Sequence, residues 1–217
     1  MQGTLGMFQY FTPHIAKLRA SERGDDITSI LIDAEIDGEK LSDEDVLWFC
    51  LLLIVAGNET TRNAMSGGML ALSQHPSEHA RLLANPTLID SAVEEIIRWV
   101  SPVTHMTRIA TADTEIRGQK IAQGERVAMW YPSVNRDEEI FADPYRFDIG
   151  RTPNEHLAFG IGEHFCLGAG FARLEVKVLF QELMATLPDI AVNGEVERLR
   201  SNFIGGIKHL PVGFTPR

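Results

Sequence analysis

A single helical pattern running from Ser42 to about Ser73 most constrains what this chain can fold into. Ser42 with Asp45 resembles a capping box in which Asp replaces the usual Glu or Gln, so the helix has a defined start. The apolar run Val46 to Ala56 follows, and His75-Pro76 stops the pattern because proline cannot continue the backbone hydrogen bonds. That length is unusual for a soluble protein, and Gly57 and the pair Gly67-Gly68 are expected to interrupt it. Two helices precede it, parted by the turn Ser21 to Asp26, with Asp26 capping the second and Gly38 ending it. Shorter helices are expected at Ser77–Ala84 and Thr87–Val100.

From His105 to Trp130 the pattern changes to alternation with glycine punctuation, which reads as short strands and a hairpin. Irregular chain rich in Pro, Asp and Arg runs from Pro132 to about Leu157, a length that usually marks a functional loop. A Gly-rich turn at 160–168 feeds a last helix to about Leu187, and short strands are expected near Ile190 and at Val212–Thr215. The fold class is therefore mainly α with small β-sheets, an α+β chain, and no internal boundary is visible.

The 217 residues carry a net charge of −10, which disfavours nucleic-acid phosphate as a general partner. The eleven-residue apolar run is shorter than the roughly 20 residues a bilayer span needs, so no membrane anchor is expected. No signal-peptide pattern is visible either, and two cysteines, Cys50 and Cys166, form no disulfide framework. A cytoplasmic location fits these features.

The sharpest local feature is Phe159-Gly160-Ile161-Gly162-Glu163-His164-Phe165-Cys166-Leu167-Gly168. Glycines at this spacing allow a tight turn that can approach a flat group without Cβ clashes. Cys166 sits where the following helix begins, and the helix dipole with its unpaired N–H groups favours a thiolate. Such a sulfur suits a soft or borderline metal, haem iron included. An inert cysteine explains neither the glycines nor His164, though it is the reading given to Cys50. A zinc site from His164, Cys166 and His156 lacks a second cysteine or a Cys-x-x-Cys pair. A phosphate-cradling loop lacks the third glycine and the Gly-Lys-Ser/Thr.

Phe159-Gly-x-Gly-x-His-x-Cys166-x-Gly168 resembles the haem-ligand signature of the cytochrome P-450 superfamily. The resemblance implies haem b (iron protoporphyrin IX) on the Cys166 thiolate, which then acts as iron ligand. It also implies that His164 meets a propionate, that Phe159 packs beside the loop, and that Gly160 and Gly168 shape it. Ala56-Gly57-Asn58-Glu59-Thr60-Thr61 resembles the family's oxygen-activation motif. There Thr60 would order water and hydrogen-bond dioxygen, Glu59 would bring in protons, and Ala56 and Gly57 would leave room. Read without the family, the same stretch is a packing kink where a Thr bonds back to a carbonyl one turn earlier.

Glu95 and Arg98 lie at i and i+3 on one helix and resemble the family's buried Glu-x-x-Arg. Arg146 of Asp143-Pro144-Tyr145-Arg146-Phe147 is the expected third member of that structural lock. In the segment Pro102 to Arg108, the resemblance makes Arg108 a propionate ligand and Val103, Thr104 and Met106 pocket candidates, joined by Phe203 from the tail. Leu199 to Lys208 looks like actinobacterial members that hydroxylate sterols, branched lipids or terpenes.

The implied activity is a monooxygenase that places one atom of O2 into an apolar small molecule. Electrons would come from NAD(P)H through a ferredoxin and ferredoxin reductase type of partner, for which Arg173, two turns beyond Cys166, is a candidate contact. Alternatives are a haem-thiolate peroxygenase or reductase, or a haem-binding protein without activity. The resemblance covers residues 1–217 as a single partial domain, the carboxy-terminal haem-binding half, with the amino-terminal half absent. The chain alone is therefore expected to be inactive, and the abrupt start at Met1 fits that.

Overall fold

The computed structural model describes residues 2–21 and 24–216, so Met1 and part of the first turn lie outside the described residues. The chain divides into two compact units, Met1–Asn58 and Glu59–Arg217, and the division falls inside the long helix rather than at any composition change.

In the first unit, α1 (Gln2–Arg19) and α2 (Ile27–Asp33) precede a two-residue-per-strand hairpin, β1 (Glu35–Ile36) and β2 (Glu39–Lys40). Asp26 caps α2 by accepting from the Ser29 N–H at 3.0 Å. Gly38 does not end that helix as the pattern suggested. Ala34 does, and Asp37 and Gly38, at φ 52° and 86°, form the hairpin turn instead. Such a turn needs positive φ at both central residues, which Gly tolerates and Asp accepts. Ile15, Ile32, Val46 and Cys50 make a small core here, with Cys50 a buried apolar residue.

The long helix is α3 (Asp43–Gln74), 32 residues. Its capping box is formed: Ser42 N–H donates to Asp45 Oδ2 at 3.1 Å and Asp45 N–H donates to Ser42 Oγ at 3.1 Å. No glycine interrupts it. Gly67 and Gly68 serve packing, because a Cβ on Gly67 would lie 2.7 Å from Val100 and one on Gly68 would lie 2.7 Å from Ile96 and 2.9 Å from Phe180. They let two later helices come against α3, and that close packing outweighs the helix propensity lost at each glycine.

The second unit continues with α4 (Pro76–Ala84), a 3-10 turn at Pro86–Leu88 and α5 (Ile89–Val100). Next come β3 (His105–Ile109), β4 (Thr114–Ile116), β5 (Gln119–Ile121) and β6 (Arg126–Trp130). The outer pair β3 and β6 is antiparallel with His105 opposite Trp130, and β4 and β5 form the inner hairpin. A short helix α6 (Tyr131–Val134) opens the irregular stretch, and α7 (Ala169–Thr186) follows the glycine turn. The tail holds β7 (Ala191–Val192), β8 (Glu197–Arg198), β9 (Ile207–His209) and β10 (Val212–Gly213), paired β7 with β10 and β8 with β9. Met69, Leu72, Val93, Ile96, Phe147, Ile149, Val176 and Phe180 form the main core, joining α3, α5, α7 and the irregular stretch.

Candidate functional site

The cysteine loop closes on itself through backbone bonds. Gly160 N–H donates to Leu157 O at 2.9 Å, Phe165 N–H to Gly162 O at 3.0 Å, and Cys166 N–H to Phe159 O at 2.9 Å. Gly160 and Gly162 hold φ 73° and 74°, a region that costs a residue with a Cβ strain, so glycine fits both. Gly168 caps α7. Cys166 is thus fixed at its backbone while its side chain is exposed. Around it stand Ile161, Phe165 and Leu167, which are 73%, 52% and 89% exposed. An open sulfur with an apolar collar fits a large flat apolar group carrying a metal.

Two basic side chains are available for carboxylates on such a group. His164 ends the 3-10 turn Gly162–His164, and Arg108 lies on β3 with its guanidinium donating to the neighbouring Thr107 carbonyl at 3.1 Å. Neither pairs with an acid among the described residues. The residues present fit haem b: an exposed thiol, an apolar collar and two basic side chains without an acid partner among the described residues. A zinc centre is not assembled: no group of three metal-binding side chains is found among the described residues. His156 is occupied elsewhere, its Nε2 3.1 Å from Glu94 Oε2 and its ring 5.9 Å from that of Phe159.

Behind the loop lies a buried polar network. Arg98 and Glu95 are both fully buried on α5 and form a bidentate pair at 2.7 and 2.8 Å. The other Arg98 N–H groups reach Asn135 O, Pro144 O and Arg146 O at 2.7, 3.0 and 3.3 Å, so the whole guanidinium fork is satisfied. Glu95 also accepts from the Asp148 N–H, Arg151 Nε and Asn154 Nδ2.

Arg146 is not the third member of this lock. Its side chain is 62% exposed and lies 3.8 Å from Asp148, so it contributes only its carbonyl. Arg151 takes the place, 3.1 Å from Glu95 and with its Nη2 donating to Arg146 O at 2.8 Å. Sequence reasoning also missed Asn135, which is fully buried. Its Nδ2 donates to Ser101 Oγ at 2.8 Å and its Oδ1 accepts from the Leu157 N–H at 2.7 Å. A lone Asn in an irregular stretch carries no spacing signal by which to find it.

A second network flanks the loop. Arg173 on α7 bonds Glu94 at 2.6 and 3.0 Å, and its guanidinium lies 4.5 Å from the Phe159 ring centroid. Burial pushes the Glu94 carboxyl up, but bonds from His156 and Arg173 outweigh it and hold the group at about 2. Arg173 is therefore committed to holding Phe159 and Glu94 in place beside Cys166, whatever else approaches that face.

The remaining candidates divide. Thr104 and Phe203 meet directly, Thr104 N–H donating to Phe203 O at 2.9 Å, and Val103 bridges Ile204. Met106 faces Met129 in the sheet register and is 37% exposed. On α3 the helix stays unbroken through Ala56–Thr61; a Cβ on Gly57 would meet no heavy atom within 4 Å. Glu59 forms an ion pair with Arg62 at 2.6 Å, and Thr60 is half-buried on the next turn position. Among the described residues, no helix is long and apolar enough to cross a membrane.

Comparison with known proteins gives a consistent result. The sequence model of the Cytochrome P-450 family matches residues 7–187. The methyl-branched lipid omega-hydroxylase of Mycobacterium tuberculosis is 52% identical over 200 residues, which cover 91% of this chain and 47% of that protein. A steroid C26-monooxygenase of the same organism is 41% identical over 95% of this chain and 52% of its own length. Among solved structures, a Mycobacterium marinum cytochrome P-450 in complex with pseudoionone superposes with a TM-score of 0.91 at 45% identity, covering 97% of this chain and 51% of the other. A Bacillus megaterium enzyme in complex with testosterone gives 0.90 at 39% identity, over 98% and 59%. This chain spans about half the length of the curated relatives it matches.

Proposed function

Because the chain belongs to the cytochrome P-450 family, we propose that it is the haem-binding part of a monooxygenase that inserts one atom of O2 into an elongated apolar substrate of the branched-lipid or steroid kind. The observation that carries this reading is Cys166, exposed at the tip of a loop pinned by its own backbone and backed by α7. Bound haem would supply dioxygen activation, with thiolate ligation favouring O–O cleavage.

The protein's own residues hold, orient and protonate. Arg108 and His164 would hold the propionates of a bound haem. The Phe159 ring is held by Arg173, and the Phe159 carbonyl accepts from the Cys166 N–H, so this residue fixes the backbone that carries the sulfur. On α3, Thr60 holds a water and directs its proton, and Glu59 exchanges Arg62 for solvent to resupply it. Val103, Thr104, Met106 and Phe203 line the substrate; the Thr104–Phe203 bond and the Val103–Ile204 bridge hold the tail beside this segment. Electrons come from NAD(P)H through a ferredoxin-type partner. The lipid and steroid relatives support the substrate class, because they match this chain at 52% and 41% identity over 91% and 95% of its length.

The test is spectroscopic. The haem-loaded protein, reduced under carbon monoxide, gives the red-shifted Soret band of thiolate ligation, and Cys166→Ser abolishes it. A Ser variant that keeps the band removes the assignment. Thr60→Ala then leaves the spectra near normal while product per NADPH consumed falls and peroxide rises; unchanged coupling would remove the role given to Thr60.

A further inference from the structure

Away from the cysteine loop, a cleft of about 520 Å³ opens between α3, α5, the start of the irregular stretch and the β8–β9 hairpin. Its lining includes Asn63, Trp99, Arg136, Tyr145, Arg198 and Gly206, and none of its lining residues is an Asp or Glu. That is a local inversion in a chain whose net charge is −10.

Arg136 is the telling residue. Half-buried, it donates to two backbone carbonyls, Pro132 O at 3.1 Å and Trp99 O at 2.9 Å, and stacks 4.9 Å over the Trp99 ring. No carboxylate pairs with it among the described residues. The Arg98 charge opposes its own and Glu95 favours it only at a distance; burial and the Arg98 charge together hold its pKa below the ordinary value. Glu95 is already committed to Arg98 and Arg151. A guanidinium taken partly out of water gains from a carboxylate, and this one has only two carbonyls and a ring to face. Arg198, exposed at the cleft on β8, makes no ion pair among the described residues and supplies a second cation.

The floor adds a polar anomaly. Asn63 is 2% exposed, and its Nδ2 has no hydrogen-bond partner among the described residues. Its amide lies so close to Gly206 that a Cβ there would come 2.7 Å from Oδ1. Leu70, Trp99, Val100 and Ile207 provide apolar wall beside these polar groups. The volume lies in the range of small-molecule sites.

We propose that this cleft binds an amphiphilic monocarboxylate, its carboxylate between Arg136 and Arg198 and its apolar body along Trp99 and Ile207. The site is separate from the proposed haem centre and does not rest on the function proposed above, since no residue of the 159–168 loop lines it.

The probe is 4-phenylbutyrate, with 4-phenylbutanol as its uncharged counterpart, titrated calorimetrically into the haem-loaded protein while the Soret band is followed. Phenylbutyrate is expected to bind below about 1 mM, weakening with salt, with no Soret shift. Arg198→Glu, a change at an exposed position, should weaken it about tenfold or more, and Arg198→Lys should restore most of the affinity. The proposal is overturned by phenylbutanol binding as tightly, by Arg198→Glu binding unchanged, by inorganic phosphate competing at equal affinity, or by saturation coupled to a Soret shift, which would place the probe in the substrate pocket. No binding at all overturns it too. The carbon-monoxide spectrum stays as a separate readout, so failure here leaves the thiolate assignment standing.

Discussion

On one side of α7, Val176 and Phe180 are fully buried, whereas Phe171, Leu174 and Val178 on another are 67%, 53% and 47% exposed. The side chains are alike, so residue type does not decide their fate. What differs is the neighbourhood. Val176 and Phe180 meet α3 and α5, brought close by Gly68 and backed by the Glu95–Arg98–Arg151 network. The other side is open, as are Ile161, Phe165 and Leu167 beside Cys166. A helix with apolar residues on both sides is one built to be covered on both. The rear of the cysteine loop is thus rigid scaffold, and the front is contact surface.

The contrast breaks first at the rear. Glu95→Gln leaves the Arg98 charge buried without its counter-ion, which should cost about 3–5 kcal/mol. Against a typical margin of about 5–15 kcal/mol, the urea midpoint of the variant should fall steeply. A midpoint near that of the parent would mean the network is not what holds this side together. Gly68→Ala comes next: the added methyl meets Ile96 and Phe180, and overpacking of this kind costs about 1–3 kcal/mol. Gly57→Ala, on the same helix with open space outside it, should be neutral or gain up to about 1 kcal/mol. Equal losses for the two would show that propensity, rather than packing, sets their effect.

A third test uses acid. Glu94 titrates at about 2 when folded against 4.5 for the free group, so its ionised form stabilises the fold above pH 4.5, and that contribution is lost as pH falls toward 2. Glu94→Gln should therefore be less stable than the parent near neutrality, with the gap closing across that window. A gap independent of pH would remove the role of the His156 and Arg173 bonds. The smallest effect belongs to the front. Phe171→Ser or Leu174→Ser should change stability by no more than about 0.5 kcal/mol while lowering binding of a hydrophobic dye. A loss as large as that of Gly68→Ala would make the two sides of α7 equivalent.

Local spacing carried much of this into the sequence. Glu95 and Arg98 are one helical turn apart, and the glycine-cysteine loop is contiguous, so both could be read without knowing what lies across from them. The third member of the lock could not. Arg146 and Arg151 sit five residues apart in irregular chain, where no periodicity says which side chain turns inward. Gly67-Gly68 looked like a break because their reason, the approach of Val100 and Ile96, lies some thirty residues away. The β8–β9 pair escaped notice because strands of two and three residues leave no alternation to detect.

Asn135 ties the end of α5 to the chain that leads into the cysteine loop: its amide meets Ser101 and Leu157, and its carbonyl meets Arg98. Seen over the course of sequence drift, such a residue is a crossroads. Replacing its side chain strands Ser101 Oγ at the end of α5 and the Leu157 N–H ahead of the loop, and no single second change can rescue both. Variation in this chain is then channelled away from Asn135 and toward the exposed collar, where one side chain can be exchanged without asking anything of the rest. Divergence would accumulate at the rim, around a cysteine whose position the crossroads keeps still.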